Sequence, residues 1–386
     1  MGRVRRYPKV TLEGCLNGVT IITIAEQIPG PLATRILGDL GARIIMVEKP
    51  EDGDPARQAP DIFAWLNHDK CSLGLNVKTV GGLEVLRRLV ASADGVIQGL
   101  RPGTAKRLGI DYATLSRVNP QLVYVALSGY GQDGPYCERP VHDLTVQGLA
   151  GLIDGDFIPP VIWADICGAL YGALAMVTGL WHTREKSDGV FIDLAMLDSL
   201  ISVLGIPLLG QLTEQFRSDF RGDPAYHVYR SSDGQEFSVS IVDEEKFWHK
   251  LCRVVEMPEW QEWSTTYRRQ NATQIRNRLR EIFSARSWRT WEAMLSRSNV
   301  PFGPVWHGHE VGNDPQVIHR GMLRQRLSDG VWTVGSPLVR QIPSEGPINV
   351  PVLGQHNEDI LQALEYSPKQ IEDLYAEGAL FPTPTS

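Results

Sequence analysis

Three residues of the chain combine types and spacing suited to chemistry. They are His142 and Asp143, in Val141-His142-Asp143-Leu144, and Asp165, in Trp163-Ala164-Asp165-Ile166. His142 and Asp165 lie 23 positions apart, a separation that a compact fold can close around one pocket. An imidazole facing a carboxylate can pass a proton, and a lone carboxylate at the mouth of a helix can attack an activated carbonyl carbon. Each residue also has a plainer reading. His142 can be an ordinary core or surface histidine, and Asp165 can be the N-cap of the apolar helix predicted over Ile166 to Glu185. At a helix start, the positive end of the dipole favours the ionised carboxylate. Glu244 sits between Asp243 and Glu245 and reads as part of a solvated acidic face.

The elements that must position these residues alternate between strand and helix through the first third of the chain. Gly18–Ile24, Ala42–Val47, Gly95–Gly99 and Leu122–Ser128 are strand-like runs, while Pro31–Leu40 and Val80–Ala93 carry apolar residues at helical spacing. Val190–Leu194 is again strand-like, and the apolar stretch Met196–Leu209 reads as a helix. Such alternation predicts an α/β fold with parallel βαβ units in a doubly wound sheet. Composition shifts near Gly210–Asp223. Tyr226–Val242 then reads as a hairpin turning at Ser232-Asp233-Gly234, and Glu259–Arg297, rich in Trp and Arg, as surface helices. Pro301-Phe302-Gly303-Pro304 reads as a breaker, and Ser367–Gly378 as a last helix after strand-like pieces. The layout predicts a large α/β domain drawn from residues 1–224 and 321–386, interrupted by a small α+β domain over 225–320. There is no internal repeat.

Composition narrows the function classes. The chain has 386 residues and a net charge of −7, so a nucleic-acid footprint is not supported. Its five cysteines are scattered without a CxxC pair, which points away from a disulfide framework or a zinc site and toward a reducing cytoplasm. The basic N-terminus lacks the apolar stretch of a secretory signal. The longest apolar run, Ile166–Trp181, is short for a membrane span and reads as a buried helix, so no membrane partner is expected. Gly129-Tyr130-Gly131-Gln132-Asp133-Gly134 formally matches GxGxxG after a strand, but Pro135, Tyr136 and Cys137 follow where a dinucleotide site needs a helix. A turn-rich active-site loop is the better reading. Lys49, Lys70, Lys78, Arg101 and Arg107 fall near predicted strand ends, where open α/β sheets hold ligands and where cations would suit a phosphate-bearing molecule.

Taken together, these segments resemble the class III CoA-transferase family (CaiB/BaiF-like), which also contains α-methylacyl-CoA racemases. The resemblance runs through Pro29-Gly30-Pro31-Leu32-Ala33-Thr34, Leu37-Gly38-Asp39-Leu40-Gly41-Ala42, Val47-Glu48-Lys49-Pro50, Asp69-Lys70-Cys71-Ser72 and Leu75-Asn76-Val77-Lys78-Thr79. It continues through Arg101-Pro102-Gly103, Arg107-Leu108-Gly109, Ser128-Gly129-Tyr130-Gly131, Val300-Pro301-Phe302-Gly303-Pro304-Val305 and Leu353-Gly354-Gln355-His356. It implies a Rossmann-like large domain built from both chain ends, a small inserted domain, and a homodimer of two interlocked rings. It also implies an acyl-CoA substrate, a carboxylic acid acceptor and no permanently bound cofactor or metal. Ile28, Lys49, Leu75, Lys78, Gly99, Leu100, Arg107 and Leu108 match the family's CoA-contacting places. Ile28 stands where formyl-CoA transferases carry a functional glutamine, and the glycine tetrad of that subgroup is missing from residues 210–235.

Asp165 matches the family's catalytic aspartate, which in transferases attacks the thioester carbonyl. The helix N-terminus there is expected to keep the carboxylate ionised and to offer amides to the oxyanion. His142 followed by Asp143 matches the racemases, in which the histidine and the second aspartate exchange the α-proton from opposite faces, and Glu244 or Asp243 falls near a further racemase carboxylate. The short Ala150-to-Asp165 interval with Ile158-Pro159-Pro160, and Asp143-Leu144-Thr145-Val146-Gln147-Gly148, follow the transferase pattern. The resemblance therefore implies CoA transfer through Asp165, with racemisation by His142 and Asp165 as the alternative. A CoA-binding protein without turnover stands behind both.

Overall fold

A computed structural model describes residues 12, 14–213, 222–325, 332–339 and 349–381. In chain order the first elements are β1 (Thr20–Ile24), α1 (Pro29–Asp39), β2 (Arg43–Glu48), α2 (Pro60–Asn67), β3 (Cys71–Gly74), α3 (Val80–Ala91), β4 (Gly95–Gln98), α4 (Thr104–Leu108), α5 (Tyr112–Leu115) and β5 (Val123–Ser128). They continue with α6 (Asp143–Leu149), α7 (Trp163–Lys186), β6 (Val190–Ala195), α8 (Met196–Val203) and α9 (Gly205–Leu212). The helix expected over Met196–Leu209 is thus two helices. β3, α2 and α6, absent from the sequence reading, are present; β3 is a run of only four residues that offers little periodicity to read.

All six strands pair in parallel, in the order β3-β2-β1-β4-β5-β6, the doubly wound α/β arrangement. Strand β5, VYVALS, is buried along nearly its whole length, as a strand covered on both faces must be. One face packs Val85, Leu86 and Leu89 of α3 with Ile360, Leu361 and Leu374 from the far C-terminal part. The other face packs Leu32, Ala33 and Leu37 of α1 with Ala169, Ala173 and Met176 of α7. The chain order reverses between β1 and β4, the switch point beyond whose C-terminal ends open α/β sheets bind ligands. Gly30 lies there so close to Ala25 that an added Cβ would sit 2.1 Å from the Ala25 Cβ, which leaves glycine as the residue that fits.

Two compact units divide the chain: Met1–Leu208 with Arg320–Ser386, and Leu209–His319. In the first, the late helices Asn357–Ala363 and Pro368–Ala376 return to β3, where Leu75 bridges to Leu380 and the Gly74 amide donates to Asn357 Oδ1 at 2.9 Å. In the second, β7 (Tyr226–Arg230), β8 (Glu236–Ser240) and β9 (Phe302–Pro304) form an antiparallel sheet, with α10 (Glu245–Val254), α11 (Thr265–Gln270), α12 (Ala272–Phe283) and α13 (Trp288–Ser298). The hairpin turn lies at Ser232-Asp233-Gly234. Two expectations fail in this unit. The Pro301–Pro304 segment is not a mere breaker, since Phe302–Pro304 pairs with β8. The Trp-rich Glu259–Arg297 segment is not simply surface helices, because Trp260 and Trp291 are buried and, with Trp248 of α10, belong to its core.

Helix α7 also departs from expectation. At 24 residues it is long and apolar enough, by length and composition, to cross a membrane, and it is less than half buried. Its inner face is lined with small residues. Cβ atoms at Gly168, Gly172 and Gly179 would meet Met196, Ala33 and Val123 respectively at 3.4 Å or less, so the helix lies directly on α1, α8 and β5. Its outer face exposes Leu170, Leu174, Val177 and Trp181.

Candidate active site

The direction of α7 places Asp165. Its beginning, at Gly168, faces Leu127 near the end of β5, and Gly179, farther along, faces Val123 at the start of β5. The helix therefore runs antiparallel to the strands, and Asp165, in its first turn, lies at the C-terminal edge of the sheet. Eight other candidate positions occupy the same edge. Ile28 caps α1 after β1, and Lys49 follows β2. Leu75 and Lys78 follow β3, Gly99 and Leu100 follow β4, and Arg107 and Leu108 belong to α4 just beyond. Pairing of Ile24 with Gln98 and of Glu48 with Gly74 brings these strand ends level.

These residues differ in what they offer. Lys49, Lys78 and Arg107 are exposed; the Lys49 ammonium lies 3.1 Å from Glu26, and Arg107 donates to Thr104 Oγ1 at 2.8 Å. Arg101 is also exposed at this edge. Leu75 is buried, and Ile28, Leu100 and Leu108 are half-buried apolar walls. Lys70 does not join them. It precedes β3, is fully enclosed, and spends its three ammonium protons on Pro31 O, Thr34 Oγ1 and Asn67 Oδ1 at 2.7–2.9 Å. Burial pulls its pKa down to about 7. Lys70 clamps α1 to α2 and has no ammonium proton left for a phosphate.

Around Asp165 the arrangement reverses two expectations. Asp165 is not the N-cap of α7; Ile162 holds that place and its side chain caps nothing. The cap comes from Asp143, whose Oδ1 accepts from the amides of Ala164 at 2.8 Å and Asp165 at 3.2 Å. Asp143 is held in turn by Gln147 Nε2, which also donates to Val161 O at 3.0 Å. The remaining first-turn amides, Trp163 and Ile166, donate to Val161 O and Ile162 O. The helix start therefore has no spare donor for an oxyanion, and its positive end is already answered by a carboxylate. The helix start accordingly does not hold Asp165 as the anion. Desolvation, reinforced by the Asp143 charge, pushes its pKa up to about 7. Cys167, buried one residue beyond Ile166, has its thiol raised by burial and by the same Asp143.

His142 is the exposed residue immediately before α6, so its backbone adjoins the carboxylate that holds the Asp165 amide. Glu244 lies in the other unit. It is exposed, precedes α10, and its carboxylate accepts from the Val242 amide at 3.0 Å, while Asp243 pairs with Arg269 at 3.0 Å. The Gly129–Gly134 loop has no helix after it. Ser128 Oγ and Asp193 accept from the amides of Gly131 and Gln132, and Gly131 adopts φ +93°, a left-handed conformation that suits glycine. The role of Asp143 was hidden from sequence reading because it is supplied across 21 residues to a different helix; the one local trace is Gln147, four residues on and on the same helical face.

Comparison with known proteins identifies the family of the chain. The model of CoA-transferase family III matches residues 16–357. Human succinyl-CoA:glutarate CoA-transferase is 28% identical over 394 residues, covering 95% of this chain and 90% of its own length. Formyl-CoA:oxalate CoA-transferase of Afipia carboxidovorans is 28% identical over 425 residues, covering 96% and 98%. Acetyl-CoA:oxalate CoA-transferase of Acetobacter aceti is 28% identical over 350 residues, covering 84% and 89%. Among solved structures, a CaiB/BaiF family protein from Brucella suis superposes with a TM-score of 0.77 at 28% identity, covering 91% of this chain and 100% of that one. The chain is an enzyme that belongs to CoA-transferase family III.

Proposed function

We propose that this enzyme moves CoA from an acyl-CoA to a carboxylic acid through a covalent intermediate on Asp165. The observation that carries the reading is the condition of that carboxylate. It is half-buried at the sheet's ligand-binding edge, Asp143 lies beside it, and no cation among the described residues pairs with it. A carboxylate so placed is held at raised free energy as the anion, and attack on a thioester removes that charge.

The steps balance without external protons. An Asp165 oxygen bonds to the thioester carbonyl carbon, the C–S bond breaks, and CoA leaves as thiolate from an acyl-aspartyl anhydride. The thiolate then attacks the Asp165 carbonyl carbon and releases the acyl group as its carboxylate, leaving an aspartyl-CoA thioester. The acceptor carboxylate attacks that thioester, CoA leaves again as thiolate, and it returns to the acceptor's carbonyl carbon to free Asp165. Forming the anhydride also relieves the repulsion between Asp165 and Asp143. Since the amides of α7 are engaged, His142 is the side chain we assign to face the thioester. CoA would lie along the crevice beyond β1 and β4, against Ile28, Leu75, Gly99, Leu100 and Leu108, with Lys49, Lys78 and Arg107 toward its phosphates. The apolar strip Leu170, Leu174, Val177 and Trp181 suits a second copy of the chain in a homodimer, and the five free thiols suit a reducing cytoplasm.

One observation favours a second reading. A carboxylate with a pKa of about 7 near an exposed histidine also suits α-proton exchange on a 2-methylacyl-CoA. A single experiment separates the two. The protein is incubated in D₂O with succinyl-CoA or a 2-methylacyl-CoA, without acceptor, then treated with hydroxylamine and digested. A hydroxamate at Asp165 is the transferase result. Rapid α-deuteration with an unmodified Asp165 peptide would replace transfer by racemisation, and a His142→Phe variant would then lose the exchange.

A further inference from the structure

We infer that Arg139 is the specificity residue of this site, a carboxylate clamp that selects an acyl group or acceptor bearing a second carboxylate. The inference rests on the transfer reading above. Arg139 lies in the loop between β5 and α6, three positions before His142 and four before Asp143. Its guanidinium carbon stands 3.8 Å from the centroid of the Tyr136 ring, and its backbone amide donates to Tyr136 O at 2.9 Å, so a tight turn folds the cation onto the aromatic face. Tyr136 meets Tyr130 edge-on at 5.8 Å. Tyr130 in turn packs on the cluster containing Ala164 and Cys167, one residue before and two residues after Asp165 in the helix. Two ring contacts and the packing of Tyr130 on that cluster therefore link the cation to the wall around Asp165.

The guanidinium has no acidic partner among the described residues, and the side chain is exposed. Stacking uses the face of the group and leaves its N–H edges free, the arrangement that takes a carboxylate in bidentate fashion. The sheet order says which end of the substrate meets it. Lys49, Lys78 and Arg107 follow β2, β3 and β4, whereas Arg139 follows β5, the strand on which α7 lies. The three former cations suit the phosphates, and Arg139 suits the far end of the acid whose near end reacts at Asp165.

Binding can be measured without turnover. Full-length Asp165→Asn protein, saturated with CoA, is titrated calorimetrically with the diacids oxalate to adipate and with monoacids of matched length. The best diacid should bind about 10- to 100-fold more tightly than its monoacid, the range of a charge-assisted hydrogen-bonded pair. Arg139→Gln should bring that ratio to within about twofold of one, and Arg139→Lys should retain part of it. Equal affinities in the presence of Arg139, no measurable diacid binding, or a ratio indifferent to Arg139→Gln would each overturn the proposal. So would a weakened affinity for CoA but not for pantetheine in Arg139→Gln with the acid ratio unchanged, which would move the contact to a CoA phosphate. Failure of the transfer reading shows separately, as a missing Asp165 hydroxamate in the otherwise native protein.

Discussion

Asp165 and Asp223 are both carboxylates withdrawn from water, and the two units of the molecule treat them in opposite ways. Asp223 is fully buried in the smaller unit, where Arg268 lies 3.5 Å away, itself fully buried and stacked over Trp248. Burial raises the Asp223 pKa, and the Ala225 amide with Arg268 and Arg269 pulls it back. Asp165 has nothing to pull it back: burial raises its pKa and Asp143 raises it further. A desolvated charge answered by a cation organises structure, as Arg268 does by also donating to Trp263 O at 3.1 Å and Thr265 Oγ1 at 2.9 Å. A desolvated charge set beside a like charge is a charge ready to be consumed. The distinction is chemical rather than a matter of depth, since the less buried of the two is the poised one.

The contrast is open to attack by substitution, and the largest effect should come at Asp165. Asp165→Asn removes the attacking oxygen and should lower the transfer rate by about four orders of magnitude or more, as loss of a nucleophile does. Thermal unfolding should show no loss of stability, because repulsion with Asp143 disappears. A variant that lost stability along with activity would make Asp165 a structural residue. Next in size is Arg268→Met, which removes the buried ion-pair partner of Asp223 and should cost about 3–5 kcal/mol in denaturant unfolding. Adding Asp223→Leu should recover much of that loss, which a purely steric role for Arg268 would not allow.

A smaller effect lies in the pH dependence of stability. The Asp165 pKa is raised on folding, so between about pH 4 and pH 7 the folded chain holds a proton that the unfolded chain has released. Stability from this residue is full below the unfolded value and falls as pH rises toward about 7. Asp165→Asn should flatten that limb of the stability profile; an unchanged limb would mean that another group causes it.

The parallel sheet was legible because β1, β2, β4 and β5 are apolar runs broken by helices with clean 3.6-residue spacing, and these signals are local. The helix-start place of Asp165 and the strand-end places of Lys49, Lys78 and Arg107 were legible from the residues themselves, whereas Ile28, Leu75, Gly99, Leu100 and Leu108 entered only through the family resemblance. What could not be read was each polar group's partner. Lys70 looks like a phosphate ligand in sequence and is a buried clamp, because its acceptors Pro31 and Thr34 lie over 30 positions away. The tryptophans of the smaller unit are core or surface only by virtue of the sheet that covers them. By residue type and place beside His142, Asp143 is a catalytic candidate, yet its carboxylate is spent on capping a helix that begins 20 residues later.

That capping carboxylate gives the finest test of the comparison, because it acts on Asp165 in two ways that two variants can separate. Asp143→Ala removes both the cap and the charge, and should cost about 1 kcal/mol of stability, the ordinary worth of an N-cap. Asp143→Asn keeps an oxygen for the Ala164 and Asp165 amides and removes only the charge; Gln147, whose Oε1 is buried without a partner, can turn its amide toward the new donor. Transfer requires the Asp165 anion, so kcat/KM in the native protein should climb as pH rises toward about 7 and then level. In Asp143→Asn the climb should move to lower pH, because one of its two causes has gone. It should not reach the ordinary carboxylate range, because burial, the larger cause, remains. A limb that stayed in place would leave desolvation as the sole origin of the raised pKa, and the pairing of like charges would then contribute nothing to the difference between Asp165 and Asp223.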